Sequence, residues 1–214
     1  MTENTSFFAV NNKHKIKLRT PGYIYARLLL IYTVIYTLAF AGGCFLFHFL
    51  DLPESRSLNS RILSYFSVNF SNCNDIFDAS SLVLSVSKSD IYHLLLVFSA
   101  GFTMLSGLII SSLLIFRGFS LGFSLCYLIC ALREHYVALE HPTAALILYS
   151  ITCAIISALL LHSSVKSAQF CDEFKALCGN PRKIIRSKAL YSHIFLFLIV
   201  FGAFLILNLI RCIL

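Results

Sequence analysis

Apolar residues run along this chain in long blocks, not in the alternating or three-to-four spacing of half-buried elements. The blocks cover residues 28–50, 91–111, 113–132, 142–162 and 190–210. Each has about the 20 apolar residues that a helix needs to cross a bilayer. The second and third are nearly continuous, forming a 42-residue apolar run from Ile91 to Leu132. One helix of that length would extend roughly 63 Å, about twice the hydrocarbon core. The pattern therefore predicts an all-α fold: a helical bundle of five transmembrane helices, with a tight hairpin turn near Ser111–Gly118.

Composition supports the bilayer as solvent. The chain is 58% hydrophobic and 13% charged, where soluble domains carry about 25% charged residues. Twenty Phe and ten Tyr, with no Trp, would supply the aromatic belts. Lys13 to Arg19 followed by an apolar stretch resembles a secretory signal with Ala39-Phe40-Ala41 as its cleavage site. The stretch continues to Leu50, long enough to span, so an uncleaved signal anchor is expected.

The net charge of +7 does not point to nucleic acid, because the basic residues flank apolar blocks. There they set topology. The N-terminal segment 1–27 carries Lys13, Lys15, Lys17, Arg19 and Arg27. Loop 163–189 carries Lys166, Lys175, Arg182, Lys183, Arg186 and Lys188. With Arg117 at the expected turn, twelve basic residues fall on one side, against five (Arg56, Arg61, Lys88, Arg133, Arg211) on the other. Positive residues stay in the cytoplasm, which predicts an N-in, C-out single membrane domain over 28–214. Loop 51–90 lies outside, where SRILSYFSVNF and IFDASSLVLSV suggest short surface helices.

Helices in lipid associate where small residues let backbones approach. Gly118, Gly122, Cys126 and Cys130 recur every four residues in the third block. Ser99, Thr103, Gly107 and Ser111 do so in the second, and Ser150, Ala154 and Ala158 in the fourth. These stripes predict a packed core of the second, third and fourth spans. The Leu/Ile/Phe-rich first and fifth spans would face lipid or a partner. Arg117 reads as a topology marker snorkelling to the headgroups. A buried role would need a carboxylate, and none falls within the blocks as drawn.

Catalytic signals are scarce. The blocks contain no Asp, Glu or Lys, and the chain has no HExxH, Walker A lysine or GxSxG motif. Glu134, His135, Glu140 and His141, with His48 and His93 at the same face, have metal-ligand chemistry. Glu134-His135 and Glu140-His141 are adjacent pairs, so surface polar residues are the simpler reading. No cofactor is expected. The eight cysteines read as packing residues and free thiols, not as a disulfide framework.

The segment Arg117-Gly118-Phe119-Ser120-Leu121-Gly122-Phe123-Ser124 resembles a segment of the stage II sporulation protein M family, which reads approximately apolar-Lys-Gly, three residues, then Gly-Phe-small-apolar. Chain length, the basic N-terminus, the long first outer loop, the central hairpin and the basic loop before the last span are similar as well. The chain departs from the family pattern in having Arg at 117 and in keeping only Pro142 of the run before the fourth span. The resemblance implies a non-enzymatic scaffold of the bacterial cytoplasmic membrane, on the mother-cell side of the septum. Such a protein recruits peptidoglycan hydrolases during engulfment. The same features also suit a permease subunit that works with a separate ATPase and docks it through loop 163–189.

Overall fold

The computed structural model describes residues 21–49, 76–133, 142–177 and 187–213. They form five helices and, among the described residues, no strand: α1 (Pro21–Phe49), α2 (Ile76–Ala100), α3 (Ser106–Arg133), α4 (Pro142–Leu177) and α5 (Lys188–Ile213). Four of them are long and apolar enough to cross a membrane: Gly22–Phe49, Ser106–Cys130, Leu146–Lys175 and Lys188–Leu209. The chain thus has the helices of a multi-pass membrane protein.

Local chemistry sets several helix starts. Pro21 and Pro142 open α1 and α4, where a missing N–H costs nothing and the ring pre-sets φ. Ser187 caps α5, its Oγ accepting from the Leu190 N–H at 3.3 Å. The α2–α3 turn spans residues 101–105 and is closed by tight bonds such as Gly101 N–H to Phe98 O at 3.1 Å and Thr103 N–H to Ala100 O at 3.0 Å.

The turn therefore lies before the expected Ser111–Gly118 position, and the blocks 91–111 and 113–132 do not correspond to two separate helices. Gly101 lets α4 and α5 pack closely over the turn. A Cβ at this position would sit 2.7 Å from Ser167 Oγ, 3.1 Å from His193 Nε2 and 3.2 Å from Phe170 Cδ1. Residues 76–90, expected in the outer loop, are the first part of α2, so IFDASSLVLSV is no separate surface helix. SRILSYFSVNF lies outside the described residues. Residues 163–177, expected in the cytoplasmic loop, extend α4.

Contacts along the bundle fix its direction. Tyr25 of α1 meets His162 of α4, its hydroxyl 2.7 Å from Nδ1. Ser167 Oγ of α4 donates to Val97 O of α2 at 2.6 Å, and the Cys171 thiol donates to Thr103 O at 3.0 Å. The start of α1, the α2–α3 turn, the end of α4 and the start of α5 thus share one end of the bundle, here called the near end. Helix direction alternates through all five elements.

The main core joins Tyr32 and Tyr36 of α1, Leu94 and Val97 of α2, Ile110 and Leu114 of α3, Ile156 and Leu160 of α4, and Val200 and Phe204 of α5. A smaller cluster at the far end joins Phe47, Tyr127, Leu128, Tyr149 and Cys153. Helix α4 is the most enclosed of the four long apolar helices, with Thr152, Cys153, Ile156, Ser157, Leu160, Ser164 and Val165 all buried. Large apolar side chains such as Leu38, Phe49, Leu108 and Phe195 point outward, where a bilayer would receive them.

Candidate functional site

Helix α3 presents two unlike faces. The first carries the glycines. A Cβ on Gly118 would stand 2.7 Å from Tyr36 O and 3.2 Å from Ala39 Cβ. A Cβ on Gly122 would collide with Phe40 O, and one on Gly43 of α1 would collide with Phe119 O. The α1–α3 crossing is therefore backbone against backbone, with glycine contributed by both helices. Cys44 completes it, its thiol donating to Gly122 O at 3.5 Å, and Cys126 and Cys130 are half-buried further along α3.

The stripe at Gly118, Gly122 and Cys126 is thus a packing face, but its partner is α1, the segment expected to turn outward. Helix α1 runs unbroken through Gly42 and Gly43. The second expected stripe does not exist as a face. Ser99 is exposed near the end of α2, Thr103 lies in the turn, and Gly107 and Ser111 belong to α3. Gly107 has nothing within 4 Å of a built Cβ. On α4, Ala154 and Ala158 are exposed, and burial falls instead on Thr152, Cys153, Ile156, Ser157 and Leu160.

The other face of α3 carries Arg117, which is not at the turn. It lies eleven residues into α3, about 17 Å from the helix start at 1.5 Å per residue. Its Nη2 donates to Asp90 Oδ1 in a buried ion pair, with the side chains 13% and 3% exposed. Asp90 lies ten residues before the end of α2, about 15 Å from the turn. The two charges thus stand level with each other along the bundle. Asn208 of α5, fully buried, adds an Nδ2–H bond to Asp90 Oδ2 at 3.5 Å and one to Phe204 O at 2.9 Å.

The remaining helices contribute hydroxyls to the bundle interior. Ser157 Oγ of α4 donates to Cys153 O at 2.7 Å, so the Tyr36 hydroxyl of α1 donates to Ser157 Oγ, also at 2.7 Å. Tyr36, Asp90, Arg117, Ser157 and Asn208 thus give the bundle interior one polar side chain from each helix. His93, expected near the outer membrane face, is buried one turn from Asp90. Its Nδ1–H donates to Ser89 O at 2.6 Å, and its ring stacks on Phe116.

Sequence reasoning missed this arrangement for a definable reason. The second apolar block begins at Ile91, which sets Asp90 one residue outside it and leaves Arg117 without a partner. The available signal was the 42-residue run itself. Two helices meeting at a turn near its first third put residues 90 and 117 level with each other.

A second, aromatic cluster holds the near end. The His193 ring lies between Phe98 (centroids 4.7 Å apart, planes 11° apart) and Phe170 (4.4 Å, 6°), with Phe102 edge-on. Its Nε2 is 3.4 Å from Phe98 O. Ser163 lines the small void beside it and finds no hydrogen-bond partner among the described residues.

Glu134, His135, Glu140 and His141, the candidate metal ligands, lie outside the described residues. Among the described residues no three His, Cys, Asp or Glu side chains converge in a metal-ligating group. What the interior arrangement can do is neutralise a carboxylate and a guanidinium against each other in apolar surroundings, and tie three helices together in doing so. The chain matches no protein-family model, no curated protein and no solved structure.

Proposed function

We propose that the protein is a non-enzymatic scaffold of the cell membrane, crossing it five times with the N-terminus in the cytoplasm and the C-terminus outside. Five crossings are supported by the alternation of helix direction, which includes α2. Orientation is supported by the basic residues. With Arg117 and Lys88 set aside as part of the paired helices α3 and α2, eleven basic residues belong to segments 1–27 and 163–189 of the sequence, against four (Arg56, Arg61, Arg133 and Arg211) in the others.

The observation that carries the scaffold reading is the way the bundle is closed. Gly43, Gly118 and Gly122 bring α1 and α3 into backbone contact, and the Asp90–Arg117 pair joins α2 to α3. Such a bundle is suited to holding one shape and presenting surfaces to other proteins. The resemblance at Arg117–Ser124 gives those partners a class: peptidoglycan hydrolases on the mother-cell side of a sporulation septum. Cross-linking and affinity capture from sporulating cells should recover such hydrolases with the intact chain. Capture should fail when Gly118 and Gly122 are both replaced by leucine. Unchanged capture and folding of that variant would remove the proposed contact.

A permease subunit is the second reading, and the buried Asp90, Arg117 and Asn208 favour it, since ionisable residues at mid-membrane often line transport paths. Co-purification of an ATPase in place of hydrolases would decide for it.

A further inference from the structure

We propose that α2 is a conditional membrane helix: it is held in the bilayer by Arg117, so that α2 and α3 enter the membrane only as a clasped hairpin. The inference rests on the five-crossing reading and adds a dependence between two of the crossings.

Helix α2 has 25 residues, enough to span, but it is the described helix whose middle carries two charges, Lys88 and Asp90. It carries Ser85, Ser87, Lys88, Ser89, Asp90 and His93 within three turns. Asp90 is nevertheless almost wholly buried, and the group that answers it is on α3. An isolated carboxylate at mid-membrane is unfavourable, and so is an isolated guanidinium. Bonded to each other, with Asn208 beside them, they enter as a neutral pair, and Lys88, exposed on α2, extends toward the far headgroups. The short turn at 101–105 keeps the two helices antiparallel with residues 90 and 117 level, which lets the pair form.

Topology adds a second constraint. If α2 and α3 are both in or both out, α4 and α5 keep their directions. The basic segment between them then stays on the side of the N-terminus. If only one were in, α4 and α5 would invert and carry that segment across, against the positive-inside preference. The apolar α3 cannot therefore stand in for a missing α2. The two helices share one fate, and the ion pair decides it.

The test uses the full chain with its eight cysteines replaced by alanine, an N-terminal tag, and Met104→Cys in the exposed turn. An impermeant maleimide is applied to vesicles of each orientation. In the parent, labelling should come from the face that carries the N-terminal tag. Asp90→Leu alone and Arg117→Leu alone should each shift the ratio of far-face to near-face labelling by at least about tenfold. The double leucine variant and the exchanged pair, Asp90→Arg with Arg117→Asp, should restore the parent ratio. If the single variants are degraded, recovery of membrane-inserted chain in the double variants gives the same support. Single variants labelled like the parent would overturn the clasp, as would double variants that mislabel like the singles. A parent labelled only from the face opposite its tag would instead overturn the five-crossing reading.

Discussion

The two faces of α3 solve different problems. Toward α1 it removes side chains, so that Gly118 and Gly122 meet Tyr36 O and Phe40 O directly. Toward α2 it adds the longest side chain available and joins it to Asp90. The first contact gains van der Waals packing and no charge. The second gains Coulombic attraction in a medium that punishes each charge alone. A membrane helix needs both solutions when one neighbour is apolar and the other is not. Helix α1 carries one charged residue, Arg27, whereas α2 carries Asp78, Lys88 and Asp90, and each neighbour receives the contact that suits it.

The comparison breaks most readily at the ion pair. Asp90→Leu or Arg117→Leu strands one buried charge and should lower bundle stability by about 3–5 kcal/mol, read as the midpoint of SDS-driven unfolding. Replacing both with leucine should return stability to within about 1–2 kcal/mol of the parent, because the charge is gone and the volume is filled. If the double variant were as unstable as the singles, the pair would be serving geometry and not charge balance.

The glycine face gives the next largest effect. Gly122→Ala and Gly43→Ala force a methyl into a facing carbonyl and should each cost about 1–3 kcal/mol. Gly107→Ala is the internal control. It faces open space, so the better helix former should leave stability unchanged or raise it by up to about 1 kcal/mol. Equal effects at Gly107 and Gly122 would mean that helix propensity, not close approach, governs α3. Smaller still is Tyr36→Phe, which removes the hydroxyl bonded to Ser157 and should cost about 1 kcal/mol. Thermal unfolding of purified protein in detergent would resolve it.

The same two faces mark how far the sequence could be read. Gly118, Gly122 and Cys126 were recognisable as a packing stripe because spacing by four is local, and a helix fixes which residues share a face. Their partner was not recognisable, since nothing local says which apolar helix lies opposite. Asp90 failed for a different reason. Its place inside the bundle is set by Arg117, 27 residues away, and by a turn packed at Gly101 against Ser167, Phe170 and His193. The stripes on Ser99–Ser111 and Ser150–Ala158 show the reverse error. Small residues at the right spacing occur where a turn intervenes or the face looks outward, so spacing is a necessary sign of close packing and not a sufficient one.

Helix α4 has 36 residues, about 54 Å of continuous rod against a hydrocarbon layer of about 30 Å. Its last turns run past the α2–α3 turn and are fastened to it by Ser167, Phe170 and Cys171. Mechanically this is a lever without a soft joint. A pull or tilt applied near Asp172 and Lys175 is delivered to the turn, and from there along α2 and α3 toward Asp90 and Arg117, instead of being absorbed in a loop. Whatever binds the overhang of α4 has a stiff handle on the interior of the bundle.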